Sequence, residues 1–166
     1  MTGVDRVLKW IEPEDNPRNT IYGTIAAGLV IAAEDPRSET YPRLIAATLI
    51  AVAAYWLAHS YAHWVAERFG RNTSSSARAF VGALSHEWPL AEGAAVPVAA
   101  LAVAWALGVP LTTGDTAALT AALGALLMFE VAGGLRRQLR PPQLLANAAV
   151  ALVLGGSLFA VKNVLH

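Results

Sequence analysis

Residues 44–68 read LIAATLIAVAAYWLAHSYAHWVAER, and this stretch decides the fold. From Leu44 to Leu57 there is no charge, and only Thr48 and Tyr55 carry a hydroxyl among otherwise aliphatic and aromatic positions. An α-helix rises about 1.5 Å per residue, so roughly 20 mostly apolar residues cross a hydrocarbon core. The stretch meets that length and predicts a membrane span over about 44–67. Its last third places His59, His63 and Glu67 at successive four-residue steps, which keeps all three on one side of a helix. The expectation is an apolar span with an ionisable face near one end.

Working outward, the same pattern recurs along the chain. Asn16-Pro17 has the form of a helix start, with Asn as N-cap and Pro at the first helical position. The apolar run Ile21–Ala33 follows and stops at Glu34-Asp35-Pro36, giving a first span over 17–34. Gly23, Ala27 and Gly28 give that span a small-residue side where a neighbour can approach closely. After the polar link 35–43 and the second span comes RFGRNTSSSAR, a basic, serine-rich loop read as mobile. Ala77–Trp88 is apolar on one side, with Phe80, Val81 and Leu84. It predicts either a helix at the membrane interface or the first half of a broken span. Pro89 disfavours helical geometry at Trp88 and removes a donor, so a kink belongs there. Further spans are expected over 91–109, 115–135 and 143–163, with a tight turn at Thr112–Asp115. The fold class is therefore all-α: a polytopic membrane bundle of five transmembrane helices plus a short interfacial helix, with 17–166 as one domain.

Composition supports this assignment. Of 166 residues, 55% are hydrophobic and only 14% charged, against about 25% charge in an ordinary soluble domain; the mean hydropathy is +0.46. A formal net charge of zero argues against a nucleic-acid partner. The absence of cysteine removes disulfides, thiolate metal sites and cysteine nucleophiles together. The N-terminal 1–16 mixes acids and bases and lacks the apolar core of a signal peptide, so it is read as a cytoplasmic tail. Val4, Val7, Leu8 and Ile11 leave two readings for it, a surface-lying amphipathic helix or an unstructured arm.

Five spans put the tail and the loops after spans two and four on one side. Those segments carry Arg6, Lys9, Arg18, Arg68, Arg71, Arg78, Arg136, Arg137 and Arg140; the opposite side has only Arg37, Arg43 and Lys162. The positive-inside rule then sets the N-terminus in the cytoplasm of a bacterial cell. The alanine-rich spans and the preference for Arg over Lys fit a GC-rich bacterial genome.

This orientation sorts the polar residues by depth. His59, His63, Glu67, His86, Glu87, Glu130 and Asn147 fall toward the inner leaflet, while Glu34, Asp35, Thr112 and Asp115 sit at the outer surface. Ionisable groups inside a membrane normally face the bundle interior or water, and mark function by default. The sharpest expectation is a divalent metal site. Histidines at i and i+4 can present two imidazoles to one ion, and His86 with Glu87 or Glu130 would complete a tetrahedral set. The metalloprotease pattern H-E-x-x-H is absent, since His59-Ser60-Tyr61-Ala62-His63 has no acid between the histidines. The competing expectation is structural: His59 and His63 lie among Tyr55, Trp56, Tyr61 and Trp64, and amphipathic rings gather at interfaces anyway. Glu130, a lone acid in an apolar run, calls for a partner such as Arg136 or a span-two histidine. No cofactor is required by the sequence, and no P-loop, Rossmann glycine pattern or G-x-S-x-G elbow is present. The expected partners are the lipid bilayer and, through the small-residue faces, a second copy or another membrane protein.

Tyr22-Gly23-Thr24, Tyr55-Trp56-Leu57-Ala58-His59 and Glu87-Trp88-Pro89 together resemble a group of small actinobacterial integral membrane proteins. That resemblance implies fold and location and carries no activity. Trp56-Leu57-Ala58-His59 is also similar to the tryptophan–histidine helix of bacterial homologues of the lysosomal potassium channels. The Phe-Ser-Asp signature those channels carry in their first span is replaced here by Ile21-Tyr22-Gly23-Thr24. Three functions follow as expectations: a channel or transport component for a small cation or proton, a non-catalytic scaffold or accessory subunit, and a metal-dependent membrane enzyme.

Overall fold

The computed structural model describes residues 17–71 and 77–165. The expectations for the tail 1–16 and for the serine run of the loop after span two lie outside the described residues. Every regular element within them is an α-helix: α1 (Pro17–Ala33), α2 (Tyr41–Arg71), α3 (Ala77–His86), α4 (Trp88–Gly93), α5 (Ala95–Ala106), α6 (Leu111–Arg136) and α7 (Pro141–Leu165). Three of these, α2 over Tyr41–Phe69, α6 and α7, are long and apolar enough to cross a membrane. The segment Ala77–Gly93 together with α5 passes the same test as a pair bent by 44°, in the manner of a broken span or a re-entrant loop. The stretch read as either an interfacial helix or the first half of a broken span is the first part of this bent element. Within the three long helices only 17–39% of each apolar window is buried inside the protein. Leu49, Ile50, Val103, Leu145, Val153 and other large side chains point outward, the reverse of a water-soluble bundle.

The centre of the bundle is α1. It packs against α2, α4, α5, α6 and α7, although it is shorter than any of the three long helices. Its sequence explains the position. Gly23 has no side chain where the Leu90 carbonyl of α4 comes in, and Gly93 of α4 has none where the Thr20 carbonyl of α1 comes in. A methyl group at either site would meet backbone, so the two helices touch main chain to main chain. Gly28 sits under the Leu158 side chain of α7. The small-residue side of α1 therefore serves two neighbours at once.

Prolines set the bends of the α3–α5 element. Pro97 lacks the N–H that would bond the Gly93 carbonyl four residues back. That carbonyl accepts from Thr24 Oγ1 at 2.8 Å, and Thr24 is fully buried. One missing donor on α5 is thus replaced by a hydroxyl on α1. At the earlier break, Pro89 opens α4 and Glu87 takes φ −91°, ψ 0°, the sparsely populated bridge region. The nearby Leu84 carbonyl accepts from Trp56 Nε1 of α2 at 3.1 Å, and the Trp56 ring meets Trp88 edge-on at 5.5 Å.

Two apolar clusters stack along α1. One joins Ile31 and Ala32 to Tyr41, Leu44, Leu101, Ala104, Ala118, Leu119, Ala122 and Leu158. The other joins Ala27 to Val52, Leu90 and Ala94, with Trp56 against it. Many of these residues are alanine, so helix approach rather than side-chain bulk fills the interior.

Several local expectations are corrected. Helix α2 continues to Arg71, so the basic loop is shorter than RFGRNTSSSAR. Thr112–Asp115 is the first turn of α6 rather than a tight turn. The reversal lies before it, where Gly108 at φ +68° ends α5 and Val109 N donates back to Ala104 O at 3.0 Å; this is the left-handed cap that glycine supplies. Asp115 is not at the surface: it is 1% exposed and paired with Lys162 Nζ at 2.6 Å.

Candidate functional site

At the end of α1 opposite the first apolar cluster lies a cleft of about 770 Å³, lined by Arg18, Asn19 and Tyr22 of α1, by Tyr55, His59, Ala62, His63 and Ala66 of α2, and by His86 and Glu87 of the α3–α4 break. The α2 residues recur at steps of three and four, which is one helical face. Ala62 and Ala66 leave room where larger residues would close the space. Thus one stripe of α2, the first turns of α1 and the break enforced by Pro89 build the walls.

Glu87 is the pivot. It is 4% exposed, and a buried carboxylate requires donors or a positive charge. Asn19 Nδ2 donates to its Oε2, and His63 Nδ1 lies 3.3 Å from its Oε1. Both oxygens are therefore addressed, each from a different helix. His63 also lies 3.8 Å, through Nε2, from the more exposed Glu67 one turn on. The His86 ring stacks near His63 with centroids 4.9 Å apart and planes 32° apart. His63, His86 and Glu87 each offer one ligand atom, and the three atoms lie within 4.8 Å of one another.

His59 takes a different position. Its ring is held between Tyr22 at 6.1 Å and Tyr55 at 5.3 Å, and it is absent from the group of converging ligand atoms. Of the metal-ligand set His59, His63 and His86 read from the sequence, the geometry joins only the latter two, with Glu87 in place of His59. The i, i+4 spacing of His59 and His63 shares a helix side but spreads along the axis, and the break brings His86 and Glu87 to His63 instead.

Glu130 and Asn147 do not line the cleft. They lie on α6 and α7, each half-buried. The partner expected for Glu130 is not found among the described residues. Asn19 escaped the sequence reading because it stands in the first turn of α1, where a polar residue is ordinary. Its only clue was that α1 and α2 both place their polar ends on the same side.

A second polar centre lies toward the other end of the bundle and also went unread. Lys162 Nζ of α7 contacts Asp115 Oδ2 at 2.6 Å and donates to Thr116 Oγ1 at 3.0 Å. The Tyr41 hydroxyl donates to the Val109 carbonyl at 3.0 Å and occupies the space left by Gly114. The available signal was that antiparallel α6 and α7 bring an acid near the start of one beside a lysine near the end of the other.

No protein family, curated protein or solved structure matches this chain. The functional reading therefore rests on the geometry above.

Proposed function

We propose that this chain is an integral membrane protein of the bacterial cytoplasmic membrane that crosses it five times and handles a small cation or proton in the cleft around Glu87. Helix α1 is counted as the fifth crossing: its 17 residues span about 25 Å, and α2, α4, α5, α6 and α7 pack against it. The distribution of Lys and Arg, nine against three in the sequence, supports a cytoplasmic N-terminus, and the cleft then opens to the cytoplasm.

The single observation that carries this reading is the convergence of His63, His86 and Asn19 on a buried carboxylate at a helix break. Broken helices with polar groups at the interruption are how membrane proteins build ion sites without exposing backbone to lipid. Arg18, the one arginine in the lining, is exposed at the rim, whereas Glu87 is enclosed. The test is cation and proton flux into proteoliposomes. Glu87→Gln keeps the shape and the Asn19 contact while removing the charge, and is expected to abolish flux. Vesicles that stay tight with the wild-type protein, or flux unchanged in Glu87→Gln, overturn the reading.

A second reading, an accessory subunit that docks on another membrane helix, is favoured by Gly124 of α6. It is exposed and has nothing within 4 Å of where a side chain would be, and it follows Ala117 and Thr120 on the outer face, a small-residue path suited to helix contact. Gly124→Leu would disrupt such docking and leave flux intact.

A further inference from the structure

We propose that His63, His86 and Glu87 form a binding site for one divalent transition-metal ion of the zinc type, with Asn19 orienting the carboxylate. This names the ion for the cleft already described and rests on the same convergence of residues.

The donor set decides the class of ion. Two imidazole nitrogens and one carboxylate oxygen are the protein ligands of one class of four-coordinate zinc site, whose fourth position is taken by water or substrate. Calcium and magnesium require six or more oxygens, which this cluster does not offer. Soft copper(I) sites draw on thiolate and thioether ligands, and the chain has no cysteine. With bonds of about 2.0–2.1 Å, neighbouring ligands on a tetrahedron lie roughly 3.3 Å apart. His63 Nδ1 and Glu87 Oε1 are 3.3 Å apart, already at that separation. The longest gap in the group is within 4.8 Å, so closure needs a shift of about 1.5 Å to reach the tetrahedral edge. His86 can supply it: it is exposed, and it is the last residue of α3.

The other two ligands are held more firmly. His63 stands on α2 about two turns before its end, and Glu87 is fixed by the Asn19 amide through Oε2, leaving Oε1 toward the imidazoles. A carboxylate whose second oxygen is held by a neighbouring donor is the usual arrangement around a protein-bound metal. An imidazole binds a metal through an unprotonated nitrogen, so coordination at Nδ1 of His63 leaves the ring proton on Nε2, the nitrogen that faces Glu67.

The test uses the full chain purified in detergent, stripped with chelator and titrated with Zn2+, with Co2+ as a spectroscopic probe. One ion per chain and the intense visible absorption of four-coordinate Co2+ are expected. His63→Ala and His86→Ala should each weaken binding by more than about 100-fold, and Asn19→Ala by about 10–100-fold, the usual cost of losing an outer partner. His59→Ala should leave affinity within about threefold, since His59 is outside the ligand group. Absence of stoichiometric binding by the wild-type chain overturns the proposal, as does a His59→Ala variant as impaired as His63→Ala. The wild-type Co2+ spectrum needs no variant to fold, and a six-coordinate, weakly absorbing spectrum also overturns it. Metal binding with ion-tight proteoliposomes upholds this site and defeats the transport reading. Proton flux in a chain that binds no metal does the reverse.

Discussion

Replacing Lys162 with methionine tests whether charge fastens α6 to α7. The ammonium lies 2.6 Å from Asp115, whose side chain is 1% exposed, and Lys162 itself is 19% exposed. At that separation two unit charges attract by about 6 kcal/mol at an effective dielectric constant near 20. Withdrawing each ion from water costs several kcal/mol, so the intact pair is close to neutral in net stability. Removing the lysine alone leaves the cost of the buried carboxylate without the attraction. Thr116 Oγ1, 3.2 Å from the other carboxylate oxygen, is a weak substitute. Breaking such a pair costs about 3–5 kcal/mol, and the partial exposure of Lys162 places the expected loss toward the lower end. Asp115→Asn in the same chain should recover much of it, because an amide is far cheaper to bury than an ion. The assay is reversible unfolding in mixed micelles across a double-mutant cycle, where coupling of about 2 kcal/mol is expected for groups in direct contact. A Lys162→Met chain within about 0.5 kcal/mol of wild type would refute the reasoning, as would additive effects of the two substitutions.

Further predictions concern the packing around α1 and the open face of α6. Gly93→Ala should destabilise the bundle by about 1–3 kcal/mol or more, because the new methyl meets the Thr20 carbonyl and neither backbone can yield cheaply. Gly124→Ala, with nothing near the added methyl, should stabilise it by about 0.5–1 kcal/mol; unfolding measured as above checks both. Thr24→Val keeps the shape but strips the Gly93 carbonyl of its donor, for an expected loss of about 1–3 kcal/mol. Pro97→Ala added to Thr24→Val should regain part of that loss by restoring a main-chain N–H, and no recovery would disprove the link between the two residues.

The helices were legible because their signals are local. Charge-free runs gave the long spans within a few residues, and Pro89 marked the helix break at Glu87. Pairing across the bundle was not legible. His59 and His63 share a periodic stripe, yet the ligand group is completed by His86 and Glu87, which reach His63 only because α3 and α4 fold back on α2. Asn19 and the Asp115–Lys162 pair were missed for the same reason: each depends on which helix ends lie side by side, a property of packing rather than of any window of sequence. The central place of α1 was likewise hidden. Length and hydropathy rank it below α2, while its glycines, by removing bulk, let other backbones gather around it.

That arrangement has a consequence for biosynthesis. The helix around which α2, α4, α5, α6 and α7 gather is made before them, and the Leu158 side chain that covers Gly28 belongs to the last helix described. During translation α1 must wait with Gly23, Thr24 and Gly28 bare until α4 and then α7 emerge. A ribosome stalled before α7 would leave an incomplete bundle with an open seam along its axis, a shape that membrane quality-control proteases can recognise.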